Sequence, residues 1–190
     1  MLIEIVGYNE SWPEEFVLCA APIRAALGND ATAIHHIGST SVPGLAAKDL
    51  IDIQVTVASL GEPVIAPMVA AGFTFHDHLP VDHQPPGAAY PEVDLQKNTF
   101  TQREGDKRTN IHVRVEGAFN QRYAVLFRDY LRSHPRARDA YGELKRNLAR
   151  LFPNNVVAYY DIKDPAIDML MAGANIWAEA TGWEVPPSDA

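Results

Sequence analysis

The stretch that decides the fold lies between residues 35 and 44 and reads His35-His36-Ile37-Gly38-Ser39-Thr40-Ser41-Val42-Pro43-Gly44. Its pattern predicts a short strand followed by a turn of small residues, because Gly38 lets the backbone change direction tightly. A second predicted strand follows and reads Leu50-Ile51-Asp52-Ile53-Gln54-Val55. Side chains alternate across a strand, so Asp52 and Gln54 share one of its faces. The sequence therefore places a carboxylate on a sheet face close behind a turn, which we call the Gly-Ser turn (residues 38–41).

The Gly-Ser turn has the chemistry of an anion site. Its backbone N–H groups and its three hydroxyls are suited to hold a phosphate group. Asp52 is suited to hold a divalent metal that faces this phosphate. Lys48 is either a further phosphate ligand or a solvated turn residue. The predicted phosphate ligands in this part of the chain are Gly38, Ser39, Thr40, Ser41 and Lys48.

This layout resembles the nucleotidyltransferase superfamily, in which a Gly-Ser turn precedes a strand that carries Asp-x-Asp or Asp-x-Glu. A closer resemblance is to the GrpB-like family, whose members have a nucleotidyltransferase-like fold and sometimes occur fused to dephospho-CoA kinase. The residues that carry it are His36-Ile37-Gly38-Ser39-Thr40-Ser41-Val42-Pro43-Gly44-Leu45-Ala46-Ala47-Lys48, Ile51-Asp52-Ile53, Ile111-His112-Val113, Phe127-Arg128-Asp129-Tyr130-Leu131-Arg132, Tyr141 with Leu144-Lys145, and Tyr160 with Lys163. The resemblance extends over nearly the whole chain.

The expected fold class is α/β (α+β), with a nucleotidyltransferase-like mixed β-sheet, an N-terminal helix and a C-terminal helical layer. The order of the segments agrees, since alternating segments precede Gly117 and helical periods follow it. We expect one domain at residues 1–184, divided into a sheet-bearing part (1–117) and a helical part (118–184). Residues 185–190 are expected to be a disordered tail. The last helix is expected to open at Asp164 and Pro165 and to end at Gly182.

The sequence departs from the superfamily at the expected metal site. Asp52 matches the first carboxylate, whereas Gln54 stands at the second position and His112 is the candidate for the third. The catalytic trio predicted instead is Asp52, His112 and His36, which should meet beside the Gly-Ser turn and, with Gln54, ligate a divalent metal (Mg²⁺, Mn²⁺ or Zn²⁺). Two imidazoles and a carboxylate suit Zn²⁺, Mn²⁺ or Fe²⁺ better than Mg²⁺. The same trio can also transfer protons without a metal, or serve only the structure.

Three more basic residues are candidate ligands for a phosphorylated molecule. Arg114 follows His112 on the same predicted strand, and it is either a ligand or part of a solvated hairpin. Lys145 and Lys163 each recur beside a tyrosine in the family pattern, and the resemblance implies that they line the far wall of the cleft. Without that resemblance they would count as helix surface charges.

The composition limits the classes of function. The chain has 190 residues and a formal net charge of −8, which argues against broad, sequence-independent binding to nucleic acids. Its one cysteine, Cys19, excludes an internal disulfide. We find no signal-peptide pattern and no apolar run long enough to cross a membrane, so we expect a cytoplasmic protein. The oligomeric state stays open.

Two functions are compatible with these features. One is an enzyme, a transferase with an atypical metal site that transforms a nucleotide or another phosphorylated small molecule in a cleft at the Gly-Ser turn. The alternative is a catalytically degenerate domain that binds such a ligand or a partner protein. The missing Asp-x-Asp pattern favours ligand binding over conventional metal-dependent transfer.

Overall fold

A mixed sheet of five strands forms the centre of the computed structural model, which describes residues 2–190. The strands are β1 (Ala31–Ile37), β2 (Ile51–Val57), β3 (Thr74–Phe75), β4 (Asn98–Thr101) and β5 (Thr109–Val115). The helices are α1 (Trp12–Leu27), α2 (Glu62–Ala70), α3 (Phe119–Ser133), α4 (Pro135–Leu151) and α5 (Val156–Thr181). Among the described residues, no helix combines the length and the apolar character needed to span a bilayer.

The strand order is β1-β2-β5-β4-β3, and only β2 and β5 run parallel. Apolar side chains on one face of β2 and β5, such as Ile53 and Ile111, pack in one core with residues of α1 and α2. The opposite face carries Asp52 and Gln54, and Gln54 reaches the backbone of α3. The predicted mixed sheet with an N-terminal helix and a C-terminal helical layer is confirmed. The polar face of β2 therefore looks towards the helices.

Helix α5 begins earlier than the sequence indicated. Its N-cap is Asn155, whose side chain accepts a hydrogen bond from the backbone N–H of Ala158 at 3.1 Å. Pro165 lies inside the helix rather than at its first turn. Proline is common at helix starts, but here the asparagine cap lies ten residues upstream of Pro165 and fixes the start of the helix. As a consequence, Lys163 belongs to α5 and is held on a long helix.

The chain's tail is ordered along the edge of the sheet, which differs from the expected disorder. The backbone N–H of Asp189 donates to the carbonyl of Ile34 at 2.9 Å, and the hydroxyl of Ser188 accepts from the N–H of Ile34 at 2.8 Å. The carboxylate of Asp189 also accepts from Arg128 at 2.6 Å and from the N–H of His36 at 3.0 Å. An edge strand exposes unpaired backbone groups, and a buried guanidinium needs a counter-ion. The tail supplies hydrogen-bond partners to the backbone of β1 and a carboxylate to Arg128.

Replacing Asp189 by alanine should lower the free energy of unfolding by about 1–3 kcal/mol, because the side chain of Arg128 is only 1% exposed and would lose a partner. Urea unfolding followed by circular dichroism measures the change. Asp77→Ala is the control, since Asp77 is 90% exposed and should change stability by less than about 0.5 kcal/mol. Equal stability of Asp189→Ala and the wild type would show that the tail does not contribute.

Candidate functional site

A cleft of about 730 Å³ lies between the polar face of the sheet and the helices α3, α4 and α5. The strands β2 and β5 contribute Asp52, Asn110 and His112, and the Gly-Ser turn contributes Gly38 and Ser39. The polar residues on the helical side are Asn120, Tyr123, Tyr141, Lys145, Tyr159, Tyr160, Lys163 and Asp164. The cleft thus brings together the turn, the strand carboxylate and two lysine–tyrosine pairs, Lys145 with Tyr141 and Lys163 with Tyr160.

Basic groups from separate elements meet at this cleft: Lys48, Arg108, Lys145 and Lys163. Lys145 is only 3% exposed, and its Nζ donates to Ser39 Oγ at 2.6 Å and to the carbonyl of Ala46 at 2.6 Å. The Nζ of Lys48 lies 4.5 Å and 4.7 Å from the ring centroids of Tyr159 and Tyr160. Lys163 lies over the ring of Tyr160 at 5.0 Å and pairs with Asp164 at 2.6 Å. Positive charge is therefore concentrated here in a chain that is acidic as a whole.

The charged forms of these groups are poorly stabilised in the cleft. Burial and the neighbouring Lys163 lower the pKa of Lys145 to about 7. Burial also lowers the pKa of Lys48. On the sheet side, burial raises the pKa of Asp52 to about 6, although a hydrogen bond from Asn110 and the nearby lysines oppose the rise. A bound anion would stabilise the protonated lysines, since an opposite charge favours the charged form.

Gly38 brings the turn into contact with the carboxylate of Asp52. Its φ of 68° is in the left-handed region that favours glycine, and a Cβ atom at this position would overlap the Asp52 carboxylate. A residue with a side chain cannot take its place without moving either the turn or the strand.

We expect Gly38→Ala to lower the free energy of unfolding by about 1–3 kcal/mol more than Gly87→Ala, because overlap with a packed group adds to the backbone cost. Gly87 is a matched control, since it also has a positive φ (78°) but has no atom within 4 Å of a built Cβ. Chemical denaturation of both variants measures the difference. Equal losses would mean that the contact with Asp52 does not constrain the turn.

The three hydroxyls of the Gly-Ser turn do not have equal access to a ligand. Ser41 is buried and donates to the carbonyl of Gly38 at 2.6 Å, and the buried Thr40 contacts His36 Nε2 at 3.0 Å and the carbonyl of Leu50 at 3.3 Å. These two hydroxyls stabilise the turn from within. The third hydroxyl, that of Ser39, lies at the cleft and accepts a hydrogen bond from the buried amine of Lys145.

His36 does not join Asp52 and His112, so the predicted trio is not formed. His36 is paired with Ile53 across β1 and β2, and directly paired residues lie on the same face. It therefore lies on the core face, where its ring stacks on Phe16 with centroids 4.8 Å apart. Burial, followed by the charge of Arg132, lowers its pKa to about 3, so the imidazole is neutral. Its role is to hold Thr40 in the turn.

Gln54 and Arg114 form a buried structural network instead of contacting a ligand. Gln54 donates to the carbonyl of Gln121 at 3.0 Å and accepts from Arg114 at 2.7 Å. Arg114 also donates to Asp82 at 2.8 Å, and Lys97 pairs with the same carboxylate at 2.7 Å. The guanidinium of Arg114 is thereby engaged, although the residue lines the cleft.

The residues present do not fit the divalent-metal centre that the sequence predicted at His36, Asp52, Gln54 and His112. In the pairing of β2 with β5, Asp52 lies opposite Asn110, whereas His112 lies opposite Gln54. His112 is therefore displaced from Asp52 by two residues, or roughly 7 Å, along the strand. Burial and Arg114 lower the pKa of His112 well below its usual value. Within residues 2–190, no group of three or more His, Cys, Asp or Glu side chains is placed to hold a metal ion. Asp52 is the one predicted ligand whose carboxylate lies at the turn.

Sequence reasoning missed several residues of the cleft. Asn110 donates to Asp52 at 3.1 Å, and its place two residues before His112 in the same strand was a usable signal. Arg108 also lines the cleft. Asp82 lines the cleft too, and despite its burial the charges of Arg114 and Lys97 hold its pKa well below the ordinary range. Asp82 lies 32 positions before Arg114 in the chain, so no local sequence pattern indicates that the two side chains pair.

The family model described as GrpB protein matches residues 2–172. The chain belongs to the GrpB family. Its relatives include a dephospho-CoA kinase of Mycolicibacterium paratuberculosis, 32% identical over 96% of this chain and 48% of the relative. The UPF0157 protein YqkA of Bacillus subtilis is 33% identical over 92% of this chain and 48% of the relative. A UPF0157 protein of Halalkalibacterium halodurans is 33% identical over 91% and 83%, respectively. This GrpB-family chain therefore spans about half the length of the first two relatives.

Solved structures agree with the fold. The conserved protein GrpB from Enterococcus faecalis superposes with a TM-score of 0.74 at 26% identity, over 92% of this chain and 99% of that chain. The GLD-2/RNP-8 complex superposes with a TM-score of 0.50 at 9% identity, over 96% of this chain and 56% of that chain. At such low identity the second likeness concerns the fold alone. The nucleotidyltransferase-like fold expected for this GrpB-family protein is thus shown.

Proposed function

We propose that this GrpB-family protein binds a phosphorylated small molecule, such as a nucleotide, in the cleft at the Gly-Ser turn. The observation that carries the proposal is the meeting of Lys48, Lys145, Lys163 and Arg108 at one cleft in a chain of net charge −8. Burial lowers the pKa of Lys48 and of Lys145, and a bound anion would offset this by stabilising their charged forms. A phosphate group supplies the negative charge.

Two sets of residues would contact the ligand, one at the Gly-Ser turn and one at the helical wall of the cleft. Ser39 and Lys145 form the base of the anion site, because their polar atoms already lie within hydrogen-bond distance of each other at the turn. Lys48 and Lys163 lie above the ring of Tyr160 and add positive charge at the helical wall. Lysine is a common phosphate ligand that acts as a point charge. A ligand with two or more phosphate groups can contact both sets.

Lysines, rather than a metal centre, supply the positive charge in this proposal. Gln54 is fully engaged in the buried network and His36 lies on the other face of the sheet. Asp52 alone does not provide the paired carboxylates of conventional metal-dependent nucleotidyl transfer. The arrangement therefore favours binding that persists after divalent metals are removed.

The size of the cleft and the names of the relatives indicate which ligands to test. A volume of about 730 Å³ is in the range of small-molecule sites. The apolar side chains Leu79, Val81, Phe119 and Ile167 also line it, so a ligand with a planar or apolar part beside its phosphates would fit. Several relatives carry the name dephospho-CoA kinase, so we include dephospho-CoA among the ligands to test.

A thermal-shift experiment with the full chain tests the proposal. ATP, dephospho-CoA and inorganic pyrophosphate are each added with EDTA or with Mg²⁺, and adenosine serves as the control that lacks phosphate. We expect the phosphorylated compounds to raise Tm in EDTA, because a ligand that binds only the folded state stabilises it. No shift with any of the three compounds under either condition would exclude the proposed function.

A further inference from the structure

The contact between Ser39 and Lys145 has the geometry of a nucleophile and its base. The Oγ of Ser39 lies 2.6 Å from the Nζ of Lys145, and Ser39 lines the cleft beside the carboxylate of Asp52. Lys145 as a whole residue is only 3% exposed, so water is largely excluded from its side chain. The pair lies where the proposed phosphate would bind.

The surroundings of Lys145 favour the neutral amine that a base requires. Burial and Lys163 of α5 lower its pKa to about 7, with smaller contributions in the same direction from Arg146 of α4 and Lys48, while Asp52 of β2 acts in the opposite direction. The ring of Tyr141 lies 4.7 Å from Nζ. A neutral amine that donates one N–H to the carbonyl of Ala46, 2.6 Å away, can turn its lone pair towards the Ser39 hydroxyl.

We propose that Ser39 is a nucleophile, with Lys145 as its general base, in attack on a phosphoryl group bound in the cleft. The Oγ–P bond forms as the bond between phosphorus and the leaving oxygen breaks, and the proton of Ser39 passes to Nζ of Lys145. The ammonium of Lys145 then protonates the leaving oxygen. Water attacks the phosphoserine, the Oγ–P bond breaks, and Ser39 regains a proton while free phosphate leaves.

The neighbouring groups support this assignment of roles. Lys48 and Lys163 can neutralise charge that develops on the phosphoryl oxygens while Lys145 handles the proton. The other hydroxyls of the turn are engaged with backbone carbonyls and with His36, so neither lies against an amine. This inference deepens the proposed function, on which it rests for the identity of the substrate group.

Labelling with a fluorophosphonate tests the nucleophile directly, since such a probe reacts with an activated serine and needs no anion site. Intact-mass and peptide mass spectrometry of the full wild-type chain should show one adduct, on Ser39. The labelling rate should rise as the pH increases through about 7, where Lys145 loses its proton. Ser39→Ala should remove the adduct, and Lys145→Arg should slow labelling about a hundredfold, because a guanidinium cannot accept the proton. Ser59→Ala, at an exposed serine, should label like the wild type.

Sulfate binding by the same variants separates this inference from the proposed function. Lys145→Arg keeps the positive charge and should bind sulfate within a few-fold of the wild type while it loses labelling. An absence of adduct on Ser39 in folded wild-type protein, or equal labelling rates in the wild type and Lys145→Arg, would overturn the inference even if sulfate binds. Failure of the wild type to bind sulfate, with Ser39 labelled as expected, would instead count against the proposed function.

Discussion

Lys145→Met should lower the affinity for sulfate at pH 6.5 by about tenfold to a hundredfold. A hydrogen bond from a charged donor contributes about 1.5–3 kcal/mol, and about 1.4 kcal/mol corresponds to a factor of ten in Kd. Methionine has a similar length and suits the buried position, so the fold should be retained. Sulfate is a useful probe because its own charge is constant at these pH values. Isothermal titration calorimetry measures the change.

A lysine outside the cleft provides the control for this experiment. Lys107 contacts Glu15 at 2.9 Å and Asp49 at 2.6 Å and does not line the cleft. Lys107→Met changes the net charge by the same amount and should leave the sulfate affinity within about twofold, since exposed distant charges are screened by salt. If the two variants lost affinity equally, the effect would reflect net charge rather than the cleft.

Asp52→Asn should stabilise the protein at pH 8 by up to about 3 kcal/mol and have little effect at pH 4. The pKa of Asp52 rises from 3.8 to about 6 on folding, which is a difference of about two units at about 1.4 kcal/mol each. A raised carboxyl pKa gives stability that is present below the unfolded pKa and is lost as the pH rises through the folded pKa. The wild type therefore loses stability between about pH 4 and pH 6, as Asp52 ionises. The asparagine side chain of the variant does not ionise, so the variant does not lose this stability.

Asp49→Asn is a control of opposite sign. Hydrogen bonds from Lys107 and Trp12 lower the pKa of Asp49, so its ionised form stabilises the folded state. Its removal should destabilise the protein at pH 8, in urea unfolding experiments performed in parallel. A loss of stability at pH 8 in Asp52→Asn would show that the ionised carboxylate is well stabilised in the cleft, contrary to our account.

The same Asp52→Asn variant distinguishes an anion site from a metal centre. Removal of a negative charge beside the turn should raise the sulfate affinity at pH 8 severalfold, with or without Mg²⁺. A carboxylate that held a metal would give the reverse, with weaker anion binding in the variant that appears only when Mg²⁺ is present. That reverse result would restore the metal site suggested by the sequence.

The polar face of β2 could be predicted from sequence because the period of two along a strand is a local property. The position of His36 could not, since the face it occupies depends on its pairing with Ile53 in a different strand. The contact between Ser39 and Lys145 joins residues 106 positions apart, and the family resemblance, rather than periodicity, indicated that Lys145 faces the cleft.

The tail shows the same limit. Residues 185–190 have a composition typical of disorder, and the sequence carries no local sign of the interaction that orders them. The partner is Arg128, a buried guanidinium on α3 whose need for a counter-ion becomes visible only after the helix packs against β1. The order of the tail thus depends on a long-range ion pair, which local sequence patterns do not indicate.

Calorimetric titration of inorganic pyrophosphate into the full chain, at pH 6.5 and in EDTA, tests the central claim most directly. We predict saturable binding of one pyrophosphate per chain, weakened at least tenfold in the double variant Lys48→Ala, Lys163→Ala, because both ammonium groups line the same cleft. Heats that never saturate in the wild type, or the same Kd in the wild type and the double variant, would contradict the account.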